Sequence, residues 1–164
     1  MLGFLTRTLP LAVRARMNAN GELVSRLHRR VLPREVDLNL HMNQAVYAQV
    51  AELGRTDWML RSTFWPHFRD QGTKPMVADQ RIEYRKELRT FTAYEATTRA
   101  TGMDGRLFVL ETHLLVGERV HAKITGRLIF IGDDGVLSAE ASRGLCERFV
   151  VAPLSVRDWK VEAR

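Results

Sequence analysis

The chain has 164 residues, of which 45% are hydrophobic and 27% are charged, as expected for one globular domain. These values argue against a disordered tail, a collagen-like fibre and a bundle of membrane helices. A net charge of +6 suits an anionic partner such as nucleic acid, a phosphorylated cofactor, an acidic carrier protein or anionic lipid. The single cysteine, Cys146, excludes an internal disulfide framework and fits a reducing cytoplasm.

Residues 1–20 are predicted to form a leader that precedes one domain over residues 21–164. Arg7 interrupts the apolar stretch of this leader and further arginines follow it, an order unlike that of a secretory signal. The stretch is also too short to span a membrane. Two interpretations stay open: the leader packs on its own domain or a partner subunit, or it lies on a membrane surface as a basic amphipathic segment.

The domain is predicted to contain one strand, one long helix, four long strands and a closing helix. The helix begins at Gln44 with Asn43 as its N-cap and ends near Arg61, and apolar residues cover several of its sides. We predict strands over 22–32, 76–88, 91–101, 106–116 and 119–131, a Trp/Phe-rich loop over 64–68 and a closing helix over 138–149. This order predicts an α+β protein whose antiparallel sheet curls around one helix.

Polar and apolar residues alternate strictly between the first strand and the long helix. In an extended chain, this period of two places Asp37, Asn39 and His41 on one side, and the apolar residues on the side that enters the core. The free N–H groups of a helix N-terminus follow directly and favour an oxyanion. The three polar side chains have two possible roles. They take part in attack on an activated carbonyl, with the carboxylate as base or nucleophile, or they merely satisfy backbone groups in a tight turn.

The run Asp37-Leu38-Asn39-Leu40-His41-Met42-Asn43, with Tyr47 and Glu52-Leu53-Gly54-Arg55 after it, resembles the signature of hotdog-fold thioesterases. It looks most like the branch of small acyl-CoA thioesterase-like proteins and 4-hydroxybenzoyl-CoA thioesterases. Its first five residues are also similar to the catalytic stretch of plant acyl-carrier-protein thioesterases. The resemblance covers roughly residues 26–131 and implies a hotdog fold, a curled antiparallel sheet wrapped around one long central helix.

The resemblance implies a thioesterase that hydrolyses an acyl-CoA or acyl-carrier-protein thioester without a cofactor, as in fatty acid metabolism. Asp37 matches the catalytic aspartate, acting as nucleophile or as base for water, and Asn39 and His41 match residues that orient substrate or water. The backbone N–H of Gln44 falls where these enzymes polarise the thioester carbonyl, and Tyr47 either packs in the core or contacts the substrate. A homodimer with its active site at the subunit interface is also implied, with a homotetramer as a further option.

Two further carboxylates fall at positions that related enzymes use. Glu52 lies where a second hotdog branch carries its helix carboxylate, and we expect it to form an ion pair with Arg55 instead of acting in catalysis. Glu87 matches a strand glutamate of the plant enzymes, but the adjacent family cysteine is Leu88 here. We therefore expect Glu87 to be a solvated strand charge.

Three alternative functions are weighed against the thioesterase. A hotdog dehydratase or hydratase typically uses an Asp/His pair in a pattern that this sequence lacks. A non-catalytic acyl-CoA-binding protein would bind without turnover, and a nucleic-acid-binding role is disfavoured because the aromatic residues look like core and loop residues.

The other histidines lack metal-ligand spacing, so no metal site is expected. Basic residues over 81–89 and 26–34 either face phosphates or lie on the outer face of the sheet.

Overall fold

The structure, a computed structural model, describes residues 21–154, so the predicted leader over 1–20 lies outside the described residues. The strands are β1 (Val24–Arg30), β2 (Lys74–Tyr84), β3 (Ala93–Asp104), β4 (Leu107–Val116), β5 (Arg119–Gly132) and β6 (Gly135–Val136). The helices are α1 (Gln44–Arg61), α2 (Phe64–Asp70) and α3 (Ala139–Cys146), with 3-10 turns at Pro33–Glu35 and Glu147–Phe149.

The strands form one antiparallel sheet in the order β1-β3-β4-β5-β2, with β6 paired to β5. The hairpins β3–β4 and β4–β5 turn at Gly105 and Gly117, whose φ values of +59° and +58° suit tight two-residue connections. One face of β5 is buried and faces the interior, and the alternate residues are more exposed. The predicted α+β fold, a curled antiparallel sheet around one long helix, is confirmed.

The long helix α1 packs against the sheet over a broad arc of its surface. Its closest approach is at Gly54, where a Cβ atom would collide with the Thr98 hydroxyl on β3. An exposed stripe that includes Ala45, Gln49 and Glu52 runs along the other side of the helix. The helix is therefore buried on more than one face, as predicted, and open along one stripe.

The interior contains two hydrophobic clusters, one at each end of α1. The first joins Val46, Tyr47 and Val50 of α1 to residues of β3, β4 and β5. The second, here called the aromatic cluster, contains Trp58, Phe64, Phe68, Phe108, Phe130, Phe149 and the buried Cys146. Aromatic rings stack at this end of the helix, with centroids as close as 4.2 Å. Burial raises the pKa of the Cys146 thiol to about 12, so it is not a reactive thiolate at neutral pH.

The structure corrects two of the sequence-based boundaries. The predicted loop over 64–68 is helix α2, because Phe64 and Phe68 lie one turn apart and both face the aromatic cluster. The strand predicted over 76–88 ends at Tyr84, because the chain there turns across the end of β5. The closing helix is confirmed, with the Ser138 side chain accepting from the N–H of Ala141 at 3.2 Å.

A buried histidine lies on the outer face of the sheet. His113 of β4 is 3% exposed, and its Nε2 atom is 3.9 Å from a carboxylate oxygen of Glu111. Burial lowers the pKa of His113 to about 4, and the nearby charges of Lys123 and Arg99 also lower it. The folded chain therefore keeps this imidazole neutral at pH values where an unfolded chain binds a proton.

This difference predicts a pH dependence of stability. Between about pH 6.5, the ordinary histidine value, and about pH 4, the unfolded state binds more protons at His113, so the free energy of unfolding falls as the pH is lowered. His113→Gln should therefore lose less stability than the wild-type chain between pH 7 and pH 4 in urea denaturation. His28→Gln, at an exposed histidine on β1, should behave like the wild type. Equal losses in wild type and His113→Gln would contradict the assignment.

Candidate active site

The segment between β1 and α1 folds as a tight turn and not as an extended strand. The N–H of Asp37 donates to the His41 carbonyl at 2.9 Å, and the N–H of Leu40 donates to the Asp37 carbonyl at 3.1 Å. Leu40 closes the turn in the left-handed region, with φ at +59°. The prediction that the alternating side chains lie on two sides of an extended chain is therefore wrong.

The turn changes where its apolar side chains lie. Leu38 is fully exposed and Leu40 is 65% exposed, whereas Met42 is 4% exposed. Only Met42 enters the core as the alternation predicted. The two exposed leucines instead form an apolar rim beside the polar residues of the turn.

The Asp37 side chain caps its own turn through one of its two oxygens. Its Oδ1 atom accepts from the N–H of Asn39 at 2.8 Å and from the N–H of His41 at 3.4 Å, as in an Asx turn. Its Oδ2 atom makes no hydrogen bond within residues 21–154, and the residue is exposed. Asp37 thus has one anchored oxygen and one that is available to water or substrate.

The predicted N-cap of α1 is confirmed at Asn43. Its side-chain oxygen accepts from the N–H of Ala45 at 2.9 Å, and its carbonyl accepts from the N–H of Val46 at 2.9 Å. The N–H of Gln44, between them, has no acceptor in the part of the chain that the structure describes. An unpaired N–H at the positive end of an 18-residue helix is a preformed donor for an anionic oxygen.

The Gln44 side of this helix end borders a cavity of about 280 Å³, here called the main cleft. A neighbouring cavity of about 390 Å³, here called the side pocket, lies on the other side of His41. The main cleft is lined by His41, Met42, Gln44, Tyr47, Tyr84, Arg85, Lys86 and Glu87, and the side pocket by Asn39, Leu40, His41, Arg89 and Thr90.

These linings place the residues that the sequence proposed for the site. His41, Gln44 and Tyr47 meet in the main cleft, and Asn39 joins His41 in the side pocket. Asp37 does not line either of these two cavities, but its charge acts on the Tyr47 hydroxyl. The five residues therefore lie in one neighbourhood, with His41 shared between the two cavities.

Tyr47 belongs both to the hydrophobic interior and to the cleft wall. It is 4% exposed and forms an edge contact with Tyr84, with ring centroids 5.0 Å apart. Burial raises the pKa of Tyr47, a hydrogen bond with the Leu88 backbone opposes this, and the charges of Glu87 and Asp37 raise it further. The hydroxyl is therefore protonated at neutral pH.

Glu87 is an exposed charge, as expected, but it lies beyond the end of β2 and not on the strand, and it lines the main cleft. A hydrogen bond from its own backbone N–H is the main cause that lowers the pKa of Glu87, and the charges of Arg89, His41 and Lys86 lower it further. The site therefore holds the ionised carboxylate of Glu87, in addition to the Asp37 side chain, within electrostatic range of His41.

The expected ion pair between Glu52 and Arg55 is not formed within the described residues. Glu52 lies on the exposed stripe of α1, whereas Arg55 is 8% exposed and donates to the Gln80 side chain at 2.7 Å. Gly126 of β5 leaves room for the Arg55 guanidinium, because a Cβ atom at residue 126 would lie only 3.2 Å from the Nη1 atom of Arg55. Glu52 contributes only a long-range charge that raises the pKa of Arg55 against the larger lowering by burial.

Sequence reasoning named Arg85 and Lys86 only as basic residues that either face phosphates or lie on the outer face of the sheet, and it missed Tyr84 as part of the same wall. These residues are about forty positions from the turn, and only the β2–β3 connection brings them to it. The charged run at the end of a predicted strand was the one available signal.

Across residues 21–154, no group of three or more His, Cys, Asp and Glu side chains is arranged to hold a metal ion. No helix in that range is long and apolar enough to cross a bilayer.

The model of the thioesterase-like superfamily matches residues 31–149. The chain belongs to this superfamily. Its hotdog fold is similar to that of the YbaW probable thioesterase from Escherichia coli, with 19% identity, a TM-score of 0.69, and 77% of this chain and 99% of that chain covered. It is also similar to the DHNA-CoA thioesterase from Staphylococcus aureus, with 16% identity, a TM-score of 0.59, and coverage of 77% and 95%.

A curated relative of this thioesterase-like chain is Protein THEM6 from Xenopus laevis. The two are 28% identical over 125 residues, which cover 75% of this chain and 59% of THEM6. The chain therefore spans about three fifths of the length of that relative.

The Asn43 side chain, as the N-cap of α1, should contribute to the stability of the fold. Asn43→Ala removes the acceptor for the Ala45 N–H and should lower the free energy of unfolding by about 1 kcal/mol. Asn43→Ser keeps a capping oxygen and should stay within a few tenths of a kcal/mol of the wild type. Urea denaturation followed by circular dichroism measures both variants, and equal stability of Asn43→Ala and wild type would contradict this role.

Proposed function

We propose that this thioesterase-like chain hydrolyses an acyl thioester of coenzyme A or of an acyl carrier protein. The observation that carries the proposal is the backbone N–H of Gln44, which has no acceptor within residues 21–154 and belongs to a residue that lines the main cleft, seven positions after Asp37. A carboxylate beside a preformed oxyanion donor matches what attack on a thioester carbonyl requires. Membership of the superfamily supports the reaction class.

The Gln44 N–H supplies the electrostatic part of the proposed mechanism. A thioester carbonyl oxygen that accepts from this group lies on the axis of α1, where the helix dipole favours negative charge. As the carbonyl carbon becomes tetrahedral, charge accumulates on that oxygen and the hydrogen bond strengthens. The donor is already oriented by the Asn43 cap, so little reorganisation accompanies the reaction.

Asp37 supplies the reacting carboxylate by one of two routes. As a base, its free Oδ2 takes a proton from water while the hydroxide attacks the carbonyl carbon; the C–S bond breaks, and the departing thiolate receives the proton. As a nucleophile, Oδ2 attacks the carbonyl carbon and displaces a thiolate; water then hydrolyses the resulting anhydride and releases the proton that the thiolate takes up. Both routes yield one carboxylic acid and one thiol, and restore the carboxylate.

The neighbouring side chains are assigned supporting roles. His41 borders both cavities, and Asn39 lines the side pocket, so both are placed to orient substrate or water. Tyr47 forms a wall of the main cleft with Tyr84. The proposal requires no metal ion or organic cofactor, because the carboxylate and the helix amide together carry out the attack and stabilise the charge.

Positive charge near the cavities supports a phosphorylated thiol carrier. Lys86 lines the main cleft and Arg89 lines the side pocket, and the whole chain carries a net charge of +6. Coenzyme A and the phosphopantetheine arm of a carrier protein both present phosphate to such groups. A cytoplasmic location, where both carriers would be met, is part of the proposal.

A homodimer is also part of the proposal, with a homotetramer as a further option. Strand β2 lies at the edge of the sheet and spans 11 residues, with Met76 and Val77 about half exposed. A long edge strand with apolar side chains is a template for pairing with another chain. We infer that a second copy pairs along β2.

Replacing the reacting carboxylate tests the activity. Asp37→Asn keeps the shape of the side chain and its turn but removes the charged base or nucleophile, so thioester turnover should fall by about 10²- to 10⁴-fold. Release of free thiol from a panel of short, medium, long and aryl acyl-CoAs measures this, followed by acyl-carrier-protein thioesters.

The matched control is Asp133→Asn, an exposed aspartate in the turn after β5, which should retain wild-type turnover. Unchanged hydrolysis by Asp37→Asn of every accepted thioester would refute the mechanism. Tight binding of acyl-CoA with no turnover of either carrier would favour a binding protein, and addition of water to enoyl-CoA would favour a hydratase.

Light scattering of the full chain tests the oligomer. The expected mass is at least twice the 18.8 kDa of one chain. Val77→Lys places a charge on the open edge of the sheet and should shift the chain towards monomer. Val136→Lys changes a similarly exposed valine on β6 and should leave the mass unchanged. A monomeric wild-type chain would refute the pairing along β2.

A further inference from the structure

The segment over residues 85–89 is held from one side by a single buried histidine. The N–H groups of Arg85 and Lys86 both donate to the His121 carbonyl of β5, at 2.8 and 2.9 Å. The His121 imidazole also contacts this segment, with Nδ1 3.0 Å from the Glu87 carbonyl oxygen. Because a carbonyl oxygen can only accept, Nδ1 carries the proton and donates it to Glu87.

The same segment is held from the other side by the start of α1 and the residues that precede it. The Leu88 carbonyl accepts from the N–H of Met42 at 2.7 Å, and Leu88 belongs to the same hydrophobic cluster as Met42 and Tyr47. His41 and Arg89 pair as an isolated antiparallel bridge. Residues 85–89 are therefore the physical link between β5 and the turn that carries the site.

We propose that His121 is a positioning residue for the hydrolysis assigned to this site. Its imidazole fixes the Glu87 carbonyl, and through it the place of Leu88 against Met42 and Tyr47. Those two contacts set where α1 begins, and hence where the Gln44 N–H lies relative to Asp37. This inference rests on the proposed function, because it assigns His121 an effect on the same reaction.

His121 acts through geometry and not through charge. It is 7% exposed, and burial lowers the pKa of its imidazole, which is therefore neutral near pH 7. It does not line either of the two cavities, so substrate contact is not part of its role. A displacement of about 1 Å in an oriented site can reduce turnover by about 10²-fold, so a side chain behind the wall is able to control the rate.

Two substitutions separate the hydrogen bond from packing. His121→Leu fills similar space without a donor, and it should lower kcat by about 10- to 100-fold with KM changed less than about 3-fold. His121→Asn places an amide nitrogen where Nδ1 lies, and it should restore kcat to within about 3-fold of the wild type. The wild-type substrate found with the acyl-thioester panel is used for all variants.

His113→Leu is the matched control, because it removes another buried histidine from the adjacent strand β4, on the outer face of the sheet. It should leave kcat near the wild-type value even where it lowers stability. An unchanged kcat in His121→Leu would overturn the proposal. So would a loss in His121→Asn as large as in His121→Leu, or an equal loss in His113→Leu.

Amide hydrogen exchange by NMR tests the same link without turnover. In His121→Leu, exchange at the Met42 and Lys86 N–H groups should become at least about 10-fold faster, whereas amides in the middle of α1 keep their protection. His121→Asn should restore slow exchange at both groups. If Asp37→Asn keeps full turnover, the proposed function fails, and the exchange result still decides whether His121 holds this segment. Unchanged exchange in His121→Leu would overturn the link itself.

Discussion

The hydrogen bond from the Met42 N–H to the Leu88 carbonyl, at 2.7 Å, joins the two stretches of chain from which the site is built. Strands β1 and β2 lie at opposite edges of the sheet, so the residues that follow each of them would otherwise remain apart. The connection from β2 to β3 has to cross the end of the sheet. On that path it meets His121 of β5 and then Val31, whose carbonyl accepts from the Phe91 N–H at 2.9 Å. The turn that holds Asp37 is therefore positioned by its hydrogen bond to the β2–β3 connection.

The two ends of α1 are stabilised by different means, which explains why one end is free to react. At its C-terminal end, Asp57 accepts from Ser25 at 2.6 Å and from Arg61 at 3.2 Å, beside the aromatic cluster. The Ser25 contact ties this end of the helix to β1. At its N-terminal end, the Asn43 cap satisfies its neighbours but not the N–H of Gln44. Dense packing at one end thus supports a helix whose other end keeps a donor open.

The features that the sequence predicted correctly are those set by neighbouring residues. The strands follow from β-branched and aromatic runs, and the Asn43 cap follows from a polar residue just before an apolar helix. The turn after Asp37 could not be foreseen, because a non-glycine residue rarely adopts the left-handed conformation that Leu40 has. Glu87 is exposed as expected, but its place in the cleft lining could not be foreseen, because a connection far along the chain from the turn puts it there. Arg55 was expected to pair with Glu52, but the space beside Gly126 lets its guanidinium reach the Gln80 side chain instead.

Residues with strained backbone angles and exposed side chains lie close to the site, and the proposed reaction also requires that bulk water be excluded from it. Leu40 and Phe91 both adopt positive φ angles, of +59° and +64°, and both are more than half exposed. Each such angle costs about 1 kcal/mol, which the contacts across the turn must offset. Asp37 is also exposed, and an oriented donor stabilises charge far better where bulk water is excluded. Tyr84, the last residue of β2, lines the main cleft, so a second copy paired along β2 as proposed would lie beside the cleft and would help to exclude that water.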